Sequence, residues 1–284
     1  MPAELVCFPA RSTLENAHAT VGKEEGNVWV LRMEGRATPD NRLTPEFIRD
    51  SLLPALDYVE LTYLNAAASG DKDGKKGALV LTGERGKKKF FSNGLNLECL
   101  KEYPSFFKDY YYLLLSRLLT FPIHTVAAIN GHCFAGGLCL ALACDWRVCR
   151  PDRTWLSMNE LAFGAPIPDG MASVLQLRLS PPVVRRVLLT AHRYVAEEAL
   201  AEGIVDEVVK ESGSDECLRK AVERAREVAG LAESGVLTAM RRTLYAPTLT
   251  ALAQDERMKL GEPQRLMGER RAELEAKAKG RAKL

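Results

Sequence analysis

The residues whose types and spacing could do chemistry gather at two glycine-containing turns and one glutamate. The first turn is Ser92-Asn93-Gly94-Leu95, and the second runs Asn130-Gly131-His132-Cys133-Phe134-Ala135-Gly136-Gly137. Each follows a strand-like run and leads into a helical one. Glycine at such a point allows a left-handed backbone and close approach of whatever lies above it. A helix start also leaves N–H groups without internal partners, at the positive end of the peptide dipoles. Two such turns side by side give two convergent donors, which is what the oxyanion of an enolate or a tetrahedral intermediate needs. The same pattern alone also fits tight helix–strand packing without chemistry. A nucleotide loop is the weaker alternative, because there is no GxxxxGK[ST] run and no GxGxxG after the first strand.

The glutamate is Glu160, in Met158-Asn159-Glu160-Leu161-Ala162-Phe163-Gly164. A single carboxylate among such apolar neighbours is desolvated, which raises its pKa and suits it to shuttle protons near neutrality. The plainer alternative is an exposed residue at a helix start. Lys87-Lys88-Lys89 precedes the first turn and could meet phosphate, or could simply be a solvated loop. His132 is expected to be structural. The Tyr110-Tyr111-Tyr112 run, with Leu113 to Leu119 after it, is expected to pack in the core rather than to stack on a ligand. Core packing is also the expectation for Phe91 and Phe107, with pocket lining the weaker role.

The elements that must position these residues are strands alternating with helices, so the fold class is α/β. Strands are expected at Val28–Met33, Ala78–Thr82, 125–129 and 147–149. Thr44 followed by Pro45 signals a helix start, with the helix running to about 64. Further helices are expected over 103–121, 138–143, 183–190 and 196–202, with Gly203 as a stop and 204–209 closing the core. Residues 1–210 therefore form the core, and 211–284 a helical C-terminal region for oligomerisation and pocket closure, its helices at 215–232, 236–244 and from 249 on.

The chain has 284 residues and a formal net charge of +2, too small to argue for nucleic acid or an acidic membrane. Seven cysteines occur without a CxxC pair, so the four at 133, 139, 144 and 149 are expected to be small buried hydrophobes in a reduced compartment, with no metal site. The N-terminus lacks the apolar core of a secretory signal, and no apolar stretch is long enough for a membrane span. The last residues, Ala282-Lys283-Leu284, are a close variant of the Ser-Lys-Leu peroxisomal address. A peroxisomal location and an import receptor as partner are the expectation.

Three ordered segments resemble one family. Phe91-Ser92-Asn93-Gly94-Leu95-Asn96-Leu97 resembles the F-x-x-G-x-D-[LI] segment of the enoyl-CoA hydratase/isomerase, or crotonase, family. Asn130-Gly131 through Gly136-Gly137-Leu138, Leu140-Ala141-Leu142 and Cys144-Asp145 resembles that family's N-G-x-x-x-G-G-G-x-x-L-A-x-x-C-D segment. Ala199 to Gly203-Ile204-Val205-Asp206 resembles its A-x-x-x-G-[LI]-V-[DN] helix end. The resemblance implies a spiral of ββα units assembled as a homotrimer or hexamer, a CoA thioester substrate and no separate cofactor. It makes the N–H groups of Leu95 and Gly136 the oxyanion donors. It places Ser92, Asn93, Gly94, Leu95, Asn96, Leu97 and Gly136 in substrate binding, and the phosphates of CoA make Lys89 a further candidate by its charge. Asn96 stands where the family has Asp, and Ala135 where it has the first Gly of a triplet; neither change removes a backbone donor.

The resemblance also separates reactions. Family hydratases use two carboxylates, the first three residues after the oxyanion glycine. That position is Cys139 here, while the second is Glu160. The pattern resembles the peroxisomal Δ3,Δ2-enoyl-CoA isomerases of fatty acid β-oxidation. It implies a one-base 1,3-proton shift by Glu160. A hydratase-like enzyme on a specialised thioester and a non-catalytic CoA-ester binder are the alternatives.

Overall fold

A computed structural model describes residues 5–70, 73–84, 89–256 and 262–281. Among the described residues ten strands are formed: β1 Val6–Phe8, β2 Ala19–Glu24, β3 Val28–Met33, β4 Ala78–Thr82, β5 Phe90–Ser92, β6 His124–Ile129, β7 His132–Phe134, β8 Trp146–Cys149, β9 Leu156–Ser157 and β10 Glu207–Val208. Seven of them make one sheet in the order β1-β2-β3-β4-β6-β8-β10, and β5, β7 and β9 make a second. β1, β2 and β3 are antiparallel neighbours, whereas every pairing from β3 to β10 is parallel. The small sheet is parallel throughout.

The chain thus repeats a unit: one strand in the large sheet, a short strand in the small sheet, then a helix back. β4, β5 and the helical run 107–119 make one turn; β6, β7 and the helix Gly136–Ala143 make the next. This is the spiral of ββα units that the resemblance implies. The middle strands are covered on both faces, which is why they read as continuous apolar runs. Leu79 and Leu81 of β4 face one buried cluster, and Ala78 and Val80 face another. Each fully buried aliphatic side chain is worth about 1.5–3 kcal/mol relative to exposure.

The second cluster is closed by the helix Ser214–Ala229, whose Cys217, Leu218, Ala221, Val222, Ala225 and Ala229 fall at helical spacing on one face. The region after 210 is helical as expected, yet its first helix is part of the core. Its later helices are pinned by Arg241, which is buried, donates to the carbonyls of Phe121 and Ile123, and pairs with Asp145. Among the described residues, no helix is long and apolar enough to cross a membrane.

Several boundaries differ from the sequence expectation. β2 (ATVGKE) has a glycine and a charged end, so its pattern is weak, yet pairing with β3 along six residues makes it a strand. The helix Asp169–Arg178 has a glycine at its second position and little apolar periodicity, and the sequence gives no signal for it. The expected 103–121 helix starts later, because Tyr103 ends the short helix Cys99–Glu102 and Pro104 follows. Thr44 caps its helix as expected, its hydroxyl accepting from the Phe47 N–H at 3.1 Å.

Candidate functional site

The small sheet brings the two glycine turns together. β5 and β7 are adjacent and parallel, with Ser92 opposite Cys133, so the chain leaves both strands at the same end. At the first turn Gly94 has φ +82°. Leu43 donates to the Gly94 carbonyl at 2.8 Å and accepts from the Asn96 N–H at 3.3 Å. Leu95 lies between these bonded groups, and alternation turns its N–H the other way. At the second turn Ala135 has φ 53° and ψ −126°, a conformation that glycine favours. Holding an alanine there costs on the order of 1–3 kcal/mol. The Ala135 N–H is anchored on the Ser157 carbonyl at 2.8 Å, and Gly136 then opens the helix Gly136–Ala143.

The turns touch. A methyl group on Gly94 would lie 2.9 Å from the Ala135 Cβ and 3.0 Å from the Gly136 nitrogen. One on Gly136 would lie 2.8 Å from the Leu95 Cδ2. Gly94 is therefore required both for its φ and for space, and a side chain at Gly136 would have to displace that of Leu95. Among the described residues, no acceptor is bonded to the N–H of Leu95 or of Gly136.

Other residues of the first segment shape it. The Ser92 hydroxyl donates to the Asn41 carbonyl at 2.7 Å and accepts from the Gly94 N–H at 3.2 Å. Asn93 donates to Asp40 at 2.8 Å. The Asn96 side-chain oxygen accepts from the Glu98 N–H at 3.1 Å, a turn-stabilising role an Asp could also fill.

Beside the turns is a cavity of about 220 Å³. Leu95, Leu97, Phe163 and Met171 supply its apolar walls, with Ala135 at the second turn. Its polar groups are Arg42, Asn93, Asn159 and Glu160. Glu160 is there because β9 pairs with β7 and delivers the chain past Ala135 into the helix Glu160–Phe163, which Gly164 ends at φ +75°. Glu160 is 4% exposed, and among the described residues its buried Oε2 has no hydrogen-bond partner. Burial pushes its pKa up to about 7, while a hydrogen bond to its own backbone pulls the other way. Such a group exchanges a proton readily near neutrality.

Cys139 is fully buried and does not line this cavity. Burial, and then the nearby Glu160 charge, push its thiol well above the usual range. The other three cysteines of the apolar run, Cys133, Cys144 and Cys149, are buried too. Phe91 and Phe107 are core residues.

Of the expected binding residues, Asn93, Leu95 and Leu97 line the cavity, Gly94 and Gly136 form the turns, and Ser92 and Asn96 brace the first one. Lys89 is elsewhere. It lines a separate cavity of about 730 Å³ with His132, Arg150 and Trp155, at the end of the small sheet where β5 and β7 begin. His132 stacks on Phe134 and Trp155 and accepts from the Trp155 N–H at 3.1 Å, while burial lowers its pKa. Lys87, Lys88 and the tail Ala282-Lys283-Leu284 lie outside the described residues.

The sequence did not single out Arg42, Asn159, Phe163 or Met171 as site residues. Asn159 and Phe163 belong to the glutamate segment, and a helix start at Glu160 could have pointed to them. Arg42 and Met171 come from distant parts of the chain and carry no local signal.

Touching glycine turns with free amides, an unpaired buried carboxylate and a ββα spiral define one class of protein. The chain belongs to the enoyl-CoA hydratase/isomerase family, whose model matches residues 27–268. It is similar to "Enoyl-CoA delta isomerase 3" of Arabidopsis thaliana, 29% identical over 233 residues, covering 78% of this chain and 90% of the relative. "Enoyl-CoA delta isomerase 2, peroxisomal" of the same plant is 29% identical over 251 residues, covering 83% and 96%. Among solved structures, the apo "Mtb" enoyl-CoA isomerase is similar with a TM-score of 0.69 and 27% identity, covering 84% of this chain and 95% of that one.

Proposed function

We propose that the protein is a Δ3,Δ2-enoyl-CoA isomerase. The observation that carries this reading is the single carboxylate of the cavity. Glu160 lines it and, among the described residues, its buried Oε2 has no hydrogen-bond partner, while the position of a second carboxylate holds a sealed cysteine.

In this reading the Glu160 carboxylate removes a proton from C2 of a 3-enoyl-CoA. Electron density moves onto the thioester oxygen, where the Leu95 and Gly136 N–H groups stabilise it. Glu160, now neutral, returns the proton to C4, leaving a 2-enoyl-CoA and the carboxylate as it began. Each oxyanion donor contributes about 2.7–4 kcal/mol, and a placed general base about 10²–10⁴-fold. The apolar walls fit an acyl chain and keep the carboxyl desolvated. No cofactor is needed in this scheme.

The deciding assay follows double-bond migration from a 3-enoyl-CoA and water addition to a 2-enoyl-CoA, with wild type and Glu160→Gln side by side. Migration by the wild type, lost in the variant, is the expected result. Hydration as the main activity, or wild-type turnover by Glu160→Gln, overturns the assignment.

The same proposal places the enzyme in peroxisomal β-oxidation, supported by the tail and by the peroxisomal name of a similar plant isomerase. The import receptor would bind Ala282-Lys283-Leu284. A fluorescent fusion lacking those residues should stay in the cytosol; import without them would refute the location. A homotrimer or hexamer is proposed too, supported by Leu231, Met240 and Leu244, each more than 60% exposed in the single chain. Sedimentation as a monomer at micromolar concentration would refute it.

A further inference from the structure

The tyrosine run left one residue without a use. Tyr111 is fully buried, and its hydroxyl donates to the Gly136 carbonyl at 2.6 Å. We propose that Tyr111 is a positioning residue for the oxyanion turn: through that carbonyl it holds the first turn of the helix Gly136–Ala143, so that the Gly136 N–H stays beside the Leu95 N–H. The inference rests on the oxyanion site of the function proposed above.

Three features give the contact this meaning. Ala135 holds a backbone conformation that glycine favours, and rotation of the Ala135–Gly136 peptide would relieve it. That rotation is the motion that would swing the Gly136 N–H away from the first turn. The peptide is held by its own carbonyl, which accepts from the Leu138 and Cys139 N–H groups at 2.9 and 3.3 Å; before it the Ala135 N–H sits on the Ser157 carbonyl, and after it Tyr111 fixes the Gly136 carbonyl. The space is also closed: a methyl on Gly136 would lie 2.8 Å from the Leu95 side chain and 3.1 Å from the Tyr111 oxygen, so the glycine is held between the other turn and this hydroxyl.

The third feature is Cys139, whose thiol sits against the Tyr111 hydroxyl. Burial pushes the Tyr111 pKa well up, so the phenol remains a neutral donor. The neighbouring tyrosine serves another element: Tyr112 donates to the Glu256 carboxylate, which also accepts from the Asp169 and Gly170 N–H groups.

The test compares Tyr111→Phe with Tyr63→Phe. The Tyr63 hydroxyl also reaches backbone carbonyls, those of Lys75 at 3.2 Å and of the buried Ala232 at 3.3 Å, and it does not line the cavity. Loss of a hydroxyl lowers thermal stability in both. Since the Tyr111 variant misaims a donor rather than deleting it, its kcat should fall about tenfold, less than the 10²–10³ of a lost donor, with KM within twofold. The Tyr63 variant should keep the wild-type kcat. A second measurement is independent of the reaction. A 3-ketoacyl-CoA forms an enolate readable by ultraviolet absorbance, and its bound enolate fraction should fall in Tyr111→Phe while the Kd of a saturated acyl-CoA stays constant. An unchanged kcat and enolate fraction, a loss confined to KM, or an equal kcat loss in Tyr63→Phe overturns the proposal. Absence of isomerase activity in the wild type would instead sink the function, leaving the enolate measurement to judge Tyr111.

Discussion

Glu160 and Cys139 are two buried titratable groups in one electrostatic neighbourhood, and burial raises the pKa of both. Only one can act on a ligand. The glutamate opens on a cavity, whereas the cysteine is packed against Tyr111 behind it. A shifted pKa therefore marks a chemical group only where a path to it exists. On the proposed function one carboxylate does the chemistry, and the position three residues after Gly136 holds a buried cysteine instead.

The most severe way to test this contrast is to neutralise each group in turn. Glu160→Gln should lower kcat by about 10²–10⁴. Cys139→Ala, which loses only packing, should lower it less than about tenfold. Equal losses in steady-state assays would erase the contrast. The next effect is on stability. Cys139→Glu buries a carboxyl with no counter-ion, so urea unfolding at neutral pH should show a loss of about 3 kcal/mol or more. A well-folded Cys139→Glu protein that adds water to a 2-enoyl-CoA would show that the sealed position is still reachable.

A subtler effect is the pH dependence. The base is active when ionised, so kcat/KM should rise with pH and reach half its limit near pH 7, the value to which burial pushes Glu160. For stability the sign is opposite. Glu160 has a higher pKa folded than unfolded, so the native state holds its proton more tightly. Stability is then fullest below about 4.5 and is lost as pH rises through 7, by roughly 3 kcal/mol for this group. Glu160→Gln should flatten that part of the profile. Chemical denaturation of both proteins between pH 5 and pH 8, where other carboxylates contribute equally, isolates the difference; parallel profiles would mean that the carboxyl is solvated.

What was legible in the sequence follows from how local each signal is. β3 and β4 were readable to the residue, because burial on both faces makes them apolar runs, broken only by Arg32 in β3 and ended by Thr82 in β4. The two turns and Glu160 were readable because each lies within a few consecutive residues. β2 was not, since its stability comes from pairing with β3 rather than from its own composition. Arg42 and Met171 reach the cavity from separate segments, and no local pattern announces that convergence. Tyr111 was placed in the core, where it lies, but its bond to Gly136 depends on how two helices meet. Lys89 fell next to the motif in sequence and into a different cavity in space, because it lies at the beginning of β5 and the turn at its end.

The helix Ser214–Ala229 has a consequence for how the protein is made. It covers Val28, Val30, Val80 and Val126, residues synthesised long before it. A ribosome must pass residue 229 of 284 before that face of the sheet can be shielded. Until then the nascent chain carries a broad strip of valine and alanine open to other chains, the kind of surface that aggregates or recruits chaperones. Folding of this enzyme is thus bound to finish late, and a stop codon anywhere before the end of that helix should yield an insoluble product rather than a shortened enzyme.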